Sequence, residues 1–210
     1  VPRGRPPLRN REQVLAAAVR LADADGLDAV TMRRVASEIG AGAMSLYTYV
    51  PDREHLIDLM VDRVAGEMEL PALTGDWRAD LFALVGAQRA MMLKHPWLTG
   101  ALAGRSVMGL NLLAYLEHGL GALEPSGLSG GTRMAVLALL TGFVASYVTA
   151  ELAGDSTGTE QVTQIVAAMA SGDFPRLAAA FAEGGSEPPD FERIADWVIT
   201  GLVNQATGNS

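Results

Sequence analysis

No cysteine occurs anywhere in the 210 residues of this chain. Disulfides and thiolate metal sites are therefore excluded, and a reducing cytoplasm suits the composition. Histidine is almost as scarce. His55, His95 and His118 lie far apart, and none belongs to a His-Glu-x-x-His pattern, so no metal is expected. Aromatic residues make up 6% of the chain, and β-branched residues do not alternate with polar ones, which leaves little material for strands. Also missing are a Ser-His-Asp arrangement and a glycine-rich phosphate loop after a strand. Glu117 beside His118 is the nearest approach to an acid–base pair, but adjacent residues on a helix do not face each other. Neither catalysis nor a cofactor is expected. The run from Met134 to Ala150 carries no charge for seventeen residues, short of the roughly 20 that span a bilayer. Thr141, Ser146, Tyr147 and Thr149 interrupt it, so it reads as a buried helix and no membrane partner is expected. The first apolar run starts late and is broken by Arg20, unlike a secretory signal.

What the chain does have is alanine and leucine in helical periodicity, with 49% hydrophobic residues to build a core. Its net charge is −8, which taken alone argues against nucleic acid. The distribution reverses that reading. Residues 1–51 hold seven arginines and five acids, a balance of +2 that leaves −10 on the remaining 159 residues. A basic head on an acidic body suggests two tasks. The opening VPRGRPPLRN, with three prolines and four arginines in residues 1–11, reads as an extended arm over residues 1–9.

From Asn10 the periodicity is helical. Asn10 and Gln13 make a capping box, Val14, Ala18, Leu21 and Ala22 form an apolar stripe, and Gly26 ends it. Thr31 caps a second helix, TMRRVASEIG, with Met32, Val35, Ala36 and Ile39 inward and Arg33, Arg34, Ser37 and Glu38 outward. Gly40 and Gly42 break the chain tightly before a very short helix at 43–49, and Pro51-Asp52 starts a fourth over residues 53–70. A short helix after a tight turn is a helix-turn-helix candidate, because the second helix must present a slim face to a major groove about 12 Å wide. Ala43, Met44, Ser45 and Thr48 are slim; Tyr47 and Tyr49 offer hydroxyls to phosphates, and Arg53 adds a charge at the next helix start.

Residues 10–56 resemble the N-terminal DNA-binding domain of TetR-family transcriptional regulators. AAAVRLADADG ends the first helix, GLDAVTMRRVASEIG supplies the second, and SLYTYVPDREHL supplies the recognition helix and the start of the fourth. The resemblance implies that Thr31 bonds a phosphate and that Arg33 reaches a guanine. It further implies that Met44, Ser45 and Thr48 face base edges while Tyr47, Tyr49 and Arg53 hold the backbone. The recognition helix lacks Arg, Lys, Asn and Gln, so readout would lean on Arg33, on thymine methyls, and on Arg3 and Arg5 of the arm in the minor groove. Two residues depart from the family pattern, Tyr49 where histidine is common and Arg53 where lysine is common, and both keep a phosphate donor.

The rest of the chain stays helical: 76–94, 98–103, 106–123, 132–153, 159–170, 174–183 and 191–206, with no internal repeat. The expected architecture is all-α. A three-helix helix-turn-helix head (10–52) is joined by a linking fourth helix (53–70) to a larger helical bundle (71–210) that binds ligand and dimerises. The uncharged helix and the last one would pair with a second copy through Ala138, Gly142, Ala145, Trp197, Val198, Gly201 and Leu202, making a homodimer that spans two half-sites about 34 Å apart on palindromic double-stranded DNA. Met91, Trp97, Met108, Asn111, Tyr115, His118, Phe143 and Tyr147 (with Met92) are the candidate lining of a small-molecule pocket of the mostly apolar kind, and the family resemblance implies an effector for it. The expectation is a repressor. A ligand-independent activator, or a helical ligand-binding or scaffolding protein whose basic head contacts another protein, would carry much of the same pattern.

Overall fold

The computed structural model describes residues 11–102, 109–154, 159–183 and 190–208. Among the described residues all regular structure is helical, in the order α1 (Arg11–Asp25), α2 (Met32–Glu38), α3 (Ala43–Leu46), α4 (Arg53–Ala65), α5 (Trp77–Lys94), α6 (Trp97–Ala101), α7 (Leu110–Ala122), α8 (Gly130–Ala153), α9 (Thr159–Ala170), α10 (Pro175–Glu183) and α11 (Phe191–Thr207). The all-α expectation holds. Arg3, Arg5, Asn10 and Met108 lie outside the described residues.

Side-chain caps start most of the longer helices. Thr31 accepts from Arg34 N–H, Asp52 from His55 N–H, Asp76 from Arg78 and Ala79, Ser129 from Thr132 and Asp190 from Arg193. Each satisfies an N–H that has no partner within its own helix. In the head, α1, α2 and α3 enclose Val14, Ala18, Val35, Leu46 and Val50, all essentially inaccessible. Leu46 anchors the four-residue α3 from below, which leaves its other side chains to solvent.

The fourth helix is shorter than expected, ending at Ala65 rather than continuing to Leu70. At Gly66 a Cβ would fall 2.8 Å from Asn111 Cγ, so α7 occupies the path of any side chain there. α4 packs on both α1 and α7. The stretch from α4 to α5 is then fixed by Asp80. Its buried carboxylate accepts from Thr74 N (2.8 Å), Thr74 Oγ1 (2.7 Å) and Gly75 N (3.1 Å). Burial alone would raise this carboxyl; the hydrogen bonds from Thr74 and Gly75 outweigh it and hold Asp80 below the ordinary carboxylate range.

α5 and α8 form the centre of the bundle, with α6, α7 and α11 around them. α8 is long and apolar enough to cross a membrane by length and composition, yet Val136, Leu137, Leu140, Val144 and Val148 along one face are buried in the bundle. The bundle covers that face, while the other is the one expected to meet a second copy. On the other, Leu139 is 57% exposed and Ala138 and Gly142 are open. Head and bundle meet at a polar joint in which His95, buried, contacts Asp23 Oδ1 of α1 through Nδ1 (2.7 Å) and Glu67 Oε2 through Nε2 (3.3 Å). Trp97 Nε1 donates to the same Asp23 oxygen at 2.7 Å, and Lys94 Nζ to Glu67 at 2.5 Å. The Lys94 hydrogen bond, against a smaller burial effect, holds the Glu67 carboxyl below its ordinary range.

Candidate nucleic-acid interface and internal cavity

The turn between α2 and α3 is made by Gly40, whose φ of +59° is left-handed backbone that favours glycine. Ala41 N then bonds back to Ala36 O at 2.8 Å, and Gly42 starts α3, with Ser45 N and Oγ both bonded to Gly42 O. Met44, Ser45, Tyr47 and Thr48 around α3 are all exposed, as is Arg33 of α2. Met44 is 81% exposed, which nothing in the head's own packing explains. Arg33 is exposed and has no ion pair among the described residues, whereas Arg34 pairs with Asp25. Tyr49 is half-buried against the core.

Arg53 departs from expectation. Its Nε donates to Val30 O (2.7 Å) and Nη2 to Leu27 O (2.9 Å), while Nη1 lies 3.4 Å from Glu54. The Leu27 carbonyl also accepts from Val30 N–H within the 3-10 turn at Leu27–Ala29, and the guanidinium fork adds a second bond there and one at the Val30 carbonyl that follows. Arg53 therefore holds the loop ahead of α2.

An internal cavity of about 280 Å³ lies in the bundle. Its walls are Val61, Ala65 and Met68 from α4 and just beyond, Gln88 and Met91 from α5, Leu98 and Leu102 from α6 and its end, Leu112, Tyr115 and Leu116 from α7, and Met134, Leu137, Ala138 and Thr141 from α8. Of the pocket residues expected from sequence, Met91 and Tyr115 are in these walls. Trp97 is in the joint with Asp23. Phe143 stacks on Phe191 of α11 with ring centroids 5.9 Å apart, and Tyr147 meets the same ring edge-on at 5.1 Å. His118 is half-buried near Asp80, with Nε2 unpartnered. Ala138, expected at the dimer contact, lines the cavity where α8 is open to solvent.

Asn111 has a different task. Asp62 Oδ1 of α4 accepts from Asn111 N and Leu112 N, both at 3.0 Å, and so caps α7 from another helix. Asn111 Nδ2 returns a bond to Asp62 O at 3.0 Å and reaches Asp62 Oδ2 at 3.2 Å. The contact is close enough that a Cβ on Gly109 would fall 2.0 Å from Asp62 Cγ. The clamp sits one residue from the cavity wall on both helices, beside Val61 and Leu112. A larger, polar cleft of about 610 Å³ lies on its other side, between α1, α4 and α7, where Arg63 pairs with Glu12.

Two family models cover most of the chain. "Bacterial regulatory proteins, tetR family" matches residues 14–60, and "Tetracyclin repressor-like, C-terminal domain" matches 70–205. The chain belongs to the TetR family of transcriptional regulators. It is 36% identical to the HTH-type transcriptional repressor DrrR1 of Streptomyces coeruleorubidus, across 99% of this chain and 83% of that one. An HTH-type transcriptional regulator of Saccharopolyspora erythraea is 33% identical over 95% of this chain and 87% of its own. Among solved structures, apo ActR from Streptomyces coelicolor superposes with a TM-score of 0.83 at 28% identity, covering 99% of this chain and 100% of that one. ActR in complex with actinorhodin gives 0.78 at 29% identity, covering 96% and 98%. Membership in the TetR family makes this a DNA-binding regulator with a helix-turn-helix head and a separate C-terminal helical domain, and not an enzyme.

Gln88, Thr141, Val61, Ala65 and the leucines of the walls escape a reading of the sequence that looks for aromatics and methionines. A signal for Gln88 is present: it is the polar member of the stripe Leu81, Leu84, Val85, Gln88 and Met92, all buried on one face of α5.

Proposed function

We propose that the protein is a dimeric cytoplasmic repressor, released from a palindromic operator by a small, mostly apolar effector. The observation that carries this reading is the course of α4: its start is packed on the head, and Val61 and Ala65 near its end form a wall of the cavity. A ligand that alters the wall necessarily acts on the helix that orients the head. Effector and operator then favour different arrangements of α4, which is the requirement for coupling between them. The repressor function of DrrR1 and the complex of ActR with actinorhodin support the same scheme.

On the DNA side, Arg33, Met44, Ser45 and Thr48 face base edges, Thr31, Tyr47 and Tyr49 contact phosphates, and Arg3 and Arg5 enter the minor groove. For the dimer, the outer faces of α8 and α11 pair with their copies around a two-fold axis. Leu139 and Trp197 are exposed there by 57% and 55%. A Cβ added to Gly142 or Gly201 would meet nothing within 4 Å, so both leave room for a close neighbour. Ala145, Val198 and Leu202 are partly committed to their own core and flank that surface. Exposed apolar area of this kind marks an interaction surface.

Fluorescence-anisotropy titration of DNA flanking the protein's own gene, at two salt concentrations with excess competitor, tests the proposal. Binding that saturates at two subunits per palindrome and weakens steeply with salt supports it. Equal, weak binding to any duplex refutes it and turns attention to a protein partner for the head.

A further inference from the structure

Among the described residues the cavity walls hold no charged side chain, and their polar members are Gln88, Tyr115 and Thr141. These three meet in one cluster. Gln88 Nε2 donates to Thr141 Oγ1 at 3.0 Å, and the Tyr115 hydroxyl lies 3.3 Å from the same oxygen. They come from α5, α8 and α7, whereas every wall residue contributed by α4 and α6 is apolar. Gln88 is 97% buried, its 3% exposure being among the lowest of any polar side chain here. With its Nε2 engaged, Oε1 has no hydrogen-bond partner among the described residues. A buried carbonyl oxygen in that condition has given up its hydration with nothing in return.

We propose that the cavity selects an uncharged ligand with a hydrogen-bond donor at one end, and that Gln88 Oε1 is the acceptor that recognises it. This rests on the reading of the cavity as the effector site and adds the chemistry of the effector. A ligand O–H or N–H satisfies an acceptor that the protein's own groups leave unpaired, while its apolar body meets α4, the helix that carries the head. An ionised carboxylate or amine finds no counter-charge in the walls and loses its hydration on entry. An analogue without the donor fits the apolar walls equally well and leaves Oε1 unpaired, so a polar position of this kind discriminates more strongly than an added methyl group does.

Isothermal titration of the full chain at pH 7 with 1-naphthol, 1-methylnaphthalene and 1-naphthoate tests the inference, alongside the variant Gln88→Met. The first two probes have nearly the same shape and differ in the donor. The preference for naphthol over methylnaphthalene is expected to fall by about tenfold in Gln88→Met, the change that corresponds to one satisfied buried acceptor. Naphthoate is expected to show no binding to either protein. If the preference is the same in both proteins, or if naphthoate binds as well as naphthol, the donor rule is overturned while the cavity remains a ligand site. If no probe binds, the effector reading of the cavity falls and this inference falls with it. The comparison of probes on the unmodified chain stands even if the variant does not fold.

Discussion

Replacing Asp62 by alanine removes the carboxylate that caps α7 from α4. Two backbone N–H groups at 3.0 Å and one amide at 3.2 Å lose their acceptor. Loss of a helix N-cap costs about 0.5–2 kcal/mol. Because the cap also ties two helices together, the upper part of that range is expected, about 2 kcal/mol. Gly109 offers a sharper test. Its φ of −124° is open to any residue, and the nearest atoms to an alanine Cβ there are those of the Asp62 carboxylate, whose Cγ would lie 2.0 Å away. Gly109→Ala is therefore expected to displace the carboxylate and destabilise the intact protein by about 1–2 kcal/mol. In the Asp62→Ala background the obstacle is gone, and the same substitution is expected to be nearly neutral. Urea denaturation of the four proteins in this cycle gives the coupling directly. Additive effects, within about 0.5 kcal/mol, would refute the clamp as described.

Arg53→Ala is expected to destabilise the head, seen as a lower unfolding midpoint, while the slope of operator affinity against salt stays unchanged because its guanidinium is committed to Val30 and Leu27. A reduced slope would restore the phosphate role. Arg33→Ala is expected to weaken operator binding by about 1–3 kcal/mol and relax selectivity at one base pair, whereas Tyr47→Phe weakens all sequences alike, both measured by anisotropy. Asp80→Ala removes three hydrogen bonds around Thr74 and Gly75, at an expected cost of about 2 kcal/mol in thermal denaturation at neutral pH. The folded Asp80 carboxyl lies below its ordinary value of 3.8. Its contribution is accordingly complete above that value and lost as pH falls through the lower folded one, so Asp80→Asn is expected to flatten the acid side of the stability profile.

Local signals carried the head. Thr31 caps α2, Gly40 turns the chain and Leu46 anchors α3 because each depends on neighbours within a few residues. The partners of Arg53 within the chain escaped the sequence for the opposite reason: they lie 23 and 26 residues back, at carbonyls no pattern reveals. The cavity was half legible. Met91 and Tyr115 lie on the expected faces, but periodicity identifies a buried face without naming what it meets. Phe143 and Tyr147 thus turned to Phe191 of α11, Trp97 to Asp23 of α1, and Asn111 to Asp62. Gln88 was legible in principle as an amide within an apolar stripe, although its relation to Thr141 requires α5 and α8 to be packed together. The end of α4 falls at Gly66, a poor helix former whose missing side chain leaves room for Asn111 of α7.

The central claim is that two copies of this chain place two heads on two-fold symmetric DNA. Selection of bound sequences from a random duplex library with the purified protein tests it most directly, because it presupposes no operator. The account predicts an enriched inverted repeat whose half-sites lie one helical turn or a multiple apart, about 10–10.5 base pairs centre to centre for one turn, and whose recovery is lost with Arg33→Ala. Recovery of a single asymmetric site, or of no common sequence at all, would contradict it.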